Sequence, residues 1–278
     1  MTFLGIMSLF LAVLVFGGIA MTVAQLWVTT LFNGLLARTW VSRNFFIGSD
    51  LQPNFHILLH SNFKYYRSLP PKSQRLFRRR VKVFLSGREF HGRNGLVVTE
   101  EMKVLIAASA VIITFGLDHF VFTTFKNIFI YPRTYTSTTT GNEHKGETHP
   151  AGAVVFSWFD FLYGIQNEED NINLGLHEFT HVFVLELTKG NIPDKMLLQD
   201  FLELKKAMFK PHVREEIMSR GYLREYGNEN FMEFMSVCIE SYFETPQEFK
   251  LTLPAIYNHL SKMLNQNTYQ LYSNSGVL

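Results

Sequence analysis

The stretch Leu176-His177-Glu178-Phe179-Thr180-His181, read as LHEFTH, places two imidazoles four positions apart, with a carboxylate directly after the first. A helix turns about 100° per residue, so residues at positions i and i+4 lie on one face about one turn apart. His177 and His181 could therefore reach one cation. The carboxylate of Glu178 lies where it can act on a water molecule beside the metal without binding the metal itself. The spacing predicts a zinc site on a helix.

The residues around this stretch favour a helix. Asp170 or Asn171 can cap its start, and Lys189-Gly190 can end it. Apolar residues for packing recur between these limits, at Leu174, Phe179, Val182, Phe183 and Leu185. An interior helix whose histidines are hydrogen-bonded to other groups is the simpler alternative, and a lone HExxH match does not exclude it.

A third metal ligand should lie elsewhere, because catalytic zinc has three protein ligands and one open position. The metzincin pattern needs Gly and His where this chain has Val184 and Leu187, so that class is excluded. A glutamate of a later helix is another common source, and the segment 225–246 contains Glu225, Glu229, Glu233, Glu240 and Glu244. Glu233 and Glu240 lie seven positions apart among apolar residues, where a charge needs a partner or a metal. Spacing alone leaves the choice between these two open.

The composition predicts a folded domain. The chain has 278 residues, 47% of them hydrophobic and 15% aromatic, which is enough apolar material for a substantial core. The net charge of +2 gives no indication of nucleic-acid binding, so we expect no direct contact with nucleic acid. The single cysteine, Cys238, excludes an intrachain disulfide and lies in an apolar run, where a small core residue is the expected role.

The N-terminal segment predicts a membrane anchor over residues 1–36. The side chains from Phe3 to Met21 are apolar apart from Ser8, and the sequence stays mostly apolar through Leu36, which exceeds the roughly 20 residues that a bilayer crossing needs. No Lys or Arg precedes this segment, whereas Arg38 and Arg43 follow it, and basic flanks prefer the cytoplasm. We therefore expect a single-pass protein of the inner (cytoplasmic) membrane, with its catalytic domain in the cytoplasm.

A cleaved signal peptide is the competing interpretation of the N-terminus. Small residues near Thr22-Val23-Ala24 could form a cleavage site, but the basic n-region is missing and apolar residues continue beyond that point. The anchor is therefore favoured. Residues 37–50 are then a juxtamembrane linker, and residues 51–278 form one domain.

The elements of that domain follow from periodicity and from breaker residues. The apolar run Val104–Leu117 is too short to cross a membrane and predicts a buried helix, which Thr99 could cap. Two β-rich runs, 128–131 and 153–158, flank a polar stretch, 134–150, that we interpret as a surface loop. The histidines of that loop, His144 and His149, are not expected to bind metal, because a mobile loop holds a metal poorly. The remainder is mostly helical, with helices through LHEFTH, after Pro193, over 231–243 and after Pro254.

HEFTH and the later text EFMSVCIESYFETP resemble the Mlc titration factor A (MtfA) family of zinc peptidases, whose pattern reads HEFAH and then PAEFFAVxSEYFFEAP. When the two are aligned at Pro246, the glutamates of the family pattern fall on Glu233 and Glu240, and a family tyrosine falls on Tyr226. Similar text upstream, such as FLSGREFHGRNGLVVTEEMKVLIAASA, extends the resemblance over most of residues 51–260. Phe231-Met232 replaces Pro-Ala of the pattern, and Thr180 replaces Ala.

The resemblance implies an α+β, mostly helical fold: a zincin-like metallopeptidase domain with a small sheet, related to the catalytic domain of anthrax lethal factor. The transmembrane helix predicted from the N-terminal segment would precede this domain. The resemblance also implies that Glu233 is the third Zn²⁺ ligand and that Tyr226 is an active-site tyrosine. The membrane anchor is not a feature of the soluble family members.

These observations predict a zinc-dependent peptidase. Glu178 would act as general base toward a water molecule that zinc activates, and the hydroxyl of Tyr226 would help to stabilise the oxyanion. Glu240 would orient a zinc-bound histidine or make a structural hydrogen bond. A peptide or protein substrate could add a strand beside one of the two β-rich runs, and the run ending at Trp158 is the favoured one.

A membrane-tethered regulatory binding protein is the alternative. By the resemblance, it would sequester a transcriptional repressor as its protein partner, and its zinc site would be structural or vestigial. The presence of Glu178 favours the enzyme, because a structural zinc site has no use for a base and prefers four protein ligands.

Overall fold

The computed structural model describes residues 53–276, apart from residues 138 and 209, and leaves the side chains of Pro53, Tyr226 and Asn228 undescribed. The predicted anchor (1–36) and linker (37–50) lie outside these residues and stay predictions. Among the described residues, no helix is both long enough and apolar enough to cross a bilayer.

Helices dominate the described chain, and short strands lie between its fourth and fifth helices, apart from one strand that precedes the fourth. The helices are α1 (Pro53–Asn62), α2 (Lys64–Ser68), α3 (Pro71–Ser86), α4 (Glu100–Thr114), α5 (Trp158–Gln166), α6 (Leu174–Thr188), α7 (Lys195–Met208), α8 (Pro211–Ser219), α9 (Phe231–Glu244), α10 (Pro246–Thr252), α11 (Pro254–Met263) and α12 (Thr268–Ser275). The strands are β1 (Glu89–Gly92), β2 (Asn127–Tyr131), β3 (Tyr135–Thr136), β4 (Glu143–His144), β5 (Gly146–His149) and β6 (Ala153–Ser157). The predicted mostly helical fold with a small sheet is confirmed.

The main sheet has the strand order β1-β2-β6-β5. The first three strands are parallel, with Phe129 opposite Val155, whereas β5 runs antiparallel to β6. Strands β3 and β4 form a separate antiparallel pair. Strand β6 is therefore an interior strand, and β5 is an edge.

Two sequence predictions about this sheet are wrong. The stretch 134–150 is not only a loop, because it contains β3, β4 and β5. The run ending at Trp158 cannot accept a substrate strand along its edge, because β6 already pairs with β2 and β5. A strand of four residues reading GETH has the composition of a loop, and for that reason periodicity did not reveal it.

Helix α4 is buried, and it packs against the helix that carries the LHEFTH stretch. All its residues from Val104 to Thr114 are buried, and the side chain of Thr99 accepts a hydrogen bond from the backbone nitrogen of Met102, as predicted for a cap. Helix α6 packs against α4 and α9. Gly175 permits this close approach, since a Cβ there would lie 2.7 Å from the hydroxyl oxygen of Ser109. Cys238 is buried, as predicted.

Candidate metal centre

Helix α6 carries the LHEFTH stretch, and its ends are set by local hydrogen bonds. Asn173 caps the start, because its side-chain oxygen accepts from the backbone nitrogen of Leu176 at 3.0 Å. The predicted caps, Asp170 and Asn171, lie just before it and are wrong by two or three positions. Lys189 ends the helix as predicted, and Gly190 follows with φ of 76°, a left-handed conformation that glycine adopts without strain.

Three predicted ligands meet at one point. The Nε2 atoms of His177 and His181 lie 3.1 Å apart. The Glu233 carboxylate oxygens lie 3.0 Å from Nε2 of His177 and 3.4 Å from Nε2 of His181. Ligands about 2.05 Å from a tetrahedral ion would be separated by roughly 3.3 Å, so these distances fit a zinc ion at the centre. No other group of three such side chains with this geometry is found among the described residues.

Glu233 reaches this point because α9 starts at Phe231, two residues before it. The Asn230 side-chain oxygen accepts hydrogen bonds from the backbone nitrogens of Met232 at 2.8 Å and Glu233 at 3.1 Å. These contacts hold Glu233 in the first turn of α9. Of the two glutamates that spacing left open, Glu233 faces the Nε2 atoms and Glu240 faces Nδ1 of His177, which is the arrangement expected if Glu233 is the ligand.

Glu240 holds His177 from the other side of its ring. The Nδ1–H group of His177 donates to Glu240 at 2.7 Å, and the same carboxylate accepts from the backbone nitrogen of Asn173 at 2.9 Å and from Arg224 at 2.6 Å. A proton held on Nδ1 leaves Nε2 as the lone-pair donor that a metal needs. The sequence left two roles open for Glu240, an orienting residue or a structural hydrogen bond, and its contact with His177 is the one that an orienting residue would make.

The two imidazoles have pKa values shifted in opposite directions. Burial alone would lower the pKa of His177, but its hydrogen bonds to Glu233 and Glu240 outweigh this and raise the pKa to about 10. Burial lowers the pKa of His181 to about 4, and the neighbouring positive charge of His177 adds to this effect. His181 is therefore neutral at pH 7, because burial and the nearby charge of His177 both disfavour its protonated form.

Glu178 is buried beside the metal centre and faces strand β5. One of its carboxylate oxygens accepts from the hydroxyl of Thr148 at 2.8 Å. Burial raises the pKa of Glu178 to about 7, although the charge of His177 and the bond from Thr148 oppose this shift. A carboxyl group with a pKa near neutrality can both accept and donate a proton at physiological pH, as a general acid–base requires.

Gly146 of β5 leaves room for this carboxylate. A Cβ at Gly146 would lie 2.5 Å from Oε1 of Glu178 and 2.7 Å from Cδ1 of Leu174. Both atoms are ends of side chains, so an added methyl group would displace the carboxylate rather than the backbone. The absence of a side chain at position 146 thus sets where Glu178 can place its proton-accepting atoms.

We expect Gly146→Ala to lower kcat for peptide hydrolysis by roughly 100-fold, since a displacement of about 1 Å at a reacting group can cost that much. Zinc content should be unchanged, because the atoms nearest to the added methyl group belong to Glu178 and Leu174 and not to the three proposed ligands. Steady-state kinetics and metal analysis of the purified variant measure both effects. Gly87→Ala is the matched control, as a Cβ at Gly87 meets no atom within 4 Å. Equal kcat values for Gly146→Ala and the wild type would contradict this role.

The candidate metal centre opens to solvent through two clefts. One, of about 650 Å³, lies toward α5, and the other, of about 740 Å³, lies toward α7 and the start of α9. Both clefts are lined by His144, Gly146, His177 and Glu178. An extended chain could therefore pass the metal centre from one cleft into the other, along β5.

The structure does not test the predicted role of Tyr226. Its backbone belongs to the 3₁₀ helix Glu225–Asn228, which precedes α9, but its side chain lies outside the described part of the chain. Its catalytic role stays a prediction. His144 and His149 are not part of the metal-ligand cluster found among the described residues.

Sequence reasoning missed four residues that shape this site: Gly146, Thr148, Asn173 and Arg224. Asn173 could have been found, because asparagine directly before the first apolar residue of a helix is a favoured cap. Thr148 and Gly146 gave no signal, since their strand reads as a loop. Arg224 precedes the predicted Tyr226 by only two positions, but nothing in its spacing indicated a carboxylate partner sixteen residues later.

Comparison with known proteins adds two findings. The sequence model of the family described as glucose-regulated metallo-peptidase M90 matches residues 37–265. A protein of Synechocystis sp. (strain ATCC 27184 / PCC 6803 / Kazusa), named "Uncharacterized protein slr2042", is 22% identical over 260 residues, which cover 84% of this chain and 94% of that protein. The family match indicates a metallopeptidase-type function and implies a metal cofactor.

Proposed function

We propose, because this chain belongs to the family of glucose-regulated metallopeptidases M90, that it hydrolyses peptide bonds as a zinc-dependent peptidase. The membership confirms the resemblance to the Mlc titration factor A family. The observation that carries the proposal is the convergence of His177, His181 and Glu233 beside the buried carboxylate of Glu178.

The donor set fits zinc. Two imidazole nitrogens and one glutamate oxygen form one of the known ligand sets of catalytic zinc, and they leave a coordination position open. Zinc, when bound by these three side chains, would supply Lewis acidity toward a carbonyl oxygen and lower the pKa of a water molecule. Glu240 contributes by keeping the Nε2 atom of His177 directed at the ion.

Glu178 moves the proton in the proposed reaction. Its carboxylate accepts a proton from the attacking water and later donates it to the nitrogen of the departing amine, so it returns to its starting state. Thr148 holds one carboxylate oxygen at 2.8 Å, which fixes the direction in which the group faces. Gly146 keeps the space around the second oxygen free of a side chain.

The outer edge of β5 provides the backbone partner for a substrate. In the described sheet, β5 pairs only with β6, so its other edge has backbone groups available to an extended peptide. We therefore propose β5, in place of β6, as the strand beside which a peptide or protein substrate binds.

A binding protein without catalytic activity is the weaker alternative. It would need the three metal ligands but neither a buried base nor a glycine that makes room for that base. The contacts of Glu178 with β5 are what an enzyme requires, and a purely structural zinc site would have a fourth protein ligand.

Metal analysis of the purified protein, combined with a screen of short peptides and amino-acid anilides, tests the proposal. We expect about one zinc ion per chain, and hydrolysis that a chelator abolishes and added zinc restores. Bound zinc without any hydrolysis would favour the binding protein. Hydrolysis that persists in the chelated, zinc-free protein would overturn the proposal.

A further inference from the structure

The cleft toward α5 has an apolar wall that faces solvent. Phe159 and Tyr163 of α5 are 53% and 47% exposed, and Ile172, just before α6, is 42% exposed. All three line the cleft that contains His177 and Glu178. Single exposed apolar side chains are common, but three on one wall form a patch, and such patches mark binding surfaces.

Two parts of the chain form this wall: helix α5 and the segment just before α6. Phe159 and Tyr163 are four positions apart, so they share a face of α5, while Phe161 and Ile165 of the same helix are buried. Gly164 lets the backbone before α6 lie against α5, since a Cβ there would be 2.9 Å from the carbonyl oxygen of Ile172. This close approach brings Ile172 into the same wall. The aromatic ring of Phe159 is held by the guanidinium of Arg133, 4.8 Å away.

Four charged side chains of the same cleft form two ion pairs. Asp160 forms an ion pair with Lys145 at 3.1 Å and accepts a hydrogen bond from Ser157. Arg224 forms an ion pair with the buried Glu240. Glu143 is exposed to solvent, where water and salt weaken its field. The cleft thus favours an apolar side chain over a charged one.

The direction of β5 decides which part of a substrate enters this cleft. Gly146, at the start of β5, lines both clefts, whereas Thr148 and Pro150 line only the cleft toward α7. Antiparallel pairing is the more stable arrangement, and an antiparallel peptide would run from Pro150 toward Gly146. Its residues after the scissile bond would therefore lie toward α5.

We propose that the cleft toward α5, through its apolar wall of Phe159, Tyr163 and Ile172, binds a large apolar side chain of the substrate. This side chain, such as that of Leu, Met or Phe, lies on the carboxyl side of the bond that is cut. This inference rests on the proposed function and names its substrate class: peptides with an apolar residue directly after the cleavage site.

The first test uses cleavage. The zinc-loaded full-length protein is incubated with a mixture of peptides of varied sequence, and the cut positions are mapped by mass spectrometry. We expect large apolar residues to be enriched directly after the cut. For matched peptides, the ratio of kcat/KM for Leu over Gly at that position should fall at least about tenfold in the double variant Phe159→Ala/Tyr163→Ala, since each methylene in an apolar pocket contributes roughly 10-fold or more. Leu251→Ala is the control, because Leu251 is exposed on α10, outside both clefts.

A second test uses binding, so that failure of the pocket and failure of the enzyme can be told apart. Two peptide hydroxamates are compared by calorimetry, one with an isobutyl group and one with hydrogen at the position that corresponds to the residue after the cut. We expect the isobutyl compound to bind at least about tenfold more tightly to the wild type, and this preference to fall in the double variant.

Each outcome decides a separate point. Cleavage without preference for apolar residues, or equal affinity for the two hydroxamates, would overturn the pocket and leave the peptidase standing. A preference in binding without any cleavage would support the pocket and overturn the peptidase. A loss of preference in Leu251→Ala equal to that in the double variant would also overturn the pocket, since the effect would not come from this wall.

Discussion

Glu178→Gln should retain zinc and lose hydrolysis, with kcat lower by about 100-fold to 10,000-fold, the usual contribution of a general acid–base. Glutamine has the same size as glutamate, so it fits beside Gly146, and its carbonyl oxygen can accept the hydrogen bond that Thr148 donates. It cannot take up a proton near neutral pH, and this is the property that the reaction needs. Zinc stoichiometry and steady-state kinetics on the same preparation measure both parts of the prediction.

The control for this substitution is Glu248→Gln, which makes the same chemical change at an exposed position of α10. Its kcat and zinc content should equal those of the wild type. A Glu178→Gln enzyme that cleaves at the wild-type rate would end the proposed mechanism, and a variant without zinc would mean that Glu178 supports the metal rather than the proton transfer.

His177→Ala and Glu233→Ala should each lose the metal, and with it the activity. Both side chains contribute a donor atom to the group of three, and two remaining donors are too few for a stable catalytic zinc site. Removal of a residue that only orients a ligand weakens metal binding by about 10-fold to 100-fold, so loss of a ligand should exceed 100-fold. Zinc affinity measured by competition with a chromogenic chelator gives the comparison.

Two further variants make this experiment specific. His212→Ala removes an exposed histidine of α8 and should leave zinc affinity unchanged. Glu240→Ala should weaken zinc binding less than Glu233→Ala, because Glu240 contacts His177 through Nδ1 and not through the atom that faces the ion. If Glu240→Ala abolished zinc binding while Glu233→Ala left it intact, the roles assigned to the two glutamates would be reversed.

The helix that carries the two histidines was predictable because its signal is local. The i, i+4 spacing of His177 and His181 and the stop at Lys189 depend on the turn of a single helix, and the structure places them as predicted. The third ligand depends on the packing of α9 against α6, which periodicity does not describe. Glu233 and Glu240 share a face of α9, so only the resemblance to a known family distinguished them in the sequence, and in the structure they face different nitrogens of His177.

The substrate strand was mispredicted for a physical reason. The run at β6 has strong β character because it is buried between β2 and β5, and an interior strand is apolar on both faces. An edge strand exposed to a cleft has a mixed and polar composition, such as GETH in β5. The stronger β signal therefore marked the strand that has no free edge.

The predicted membrane anchor lies outside the described residues and is untested.

Glu240 has a consequence for how the protein acquires its ion. Its carboxylate accepts hydrogen bonds from the backbone of Asn173, just before α6, from the imidazole of His177 in α6, and from Arg224 in the chain that leads into α9. His177, one of the three donors, is thus held in place by protein contacts alone, and we expect the apoprotein to have its native tertiary structure. The free energy released on metal uptake would then appear as affinity instead of being offset by the ordering of the chain, in contrast to small domains that fold only around their zinc.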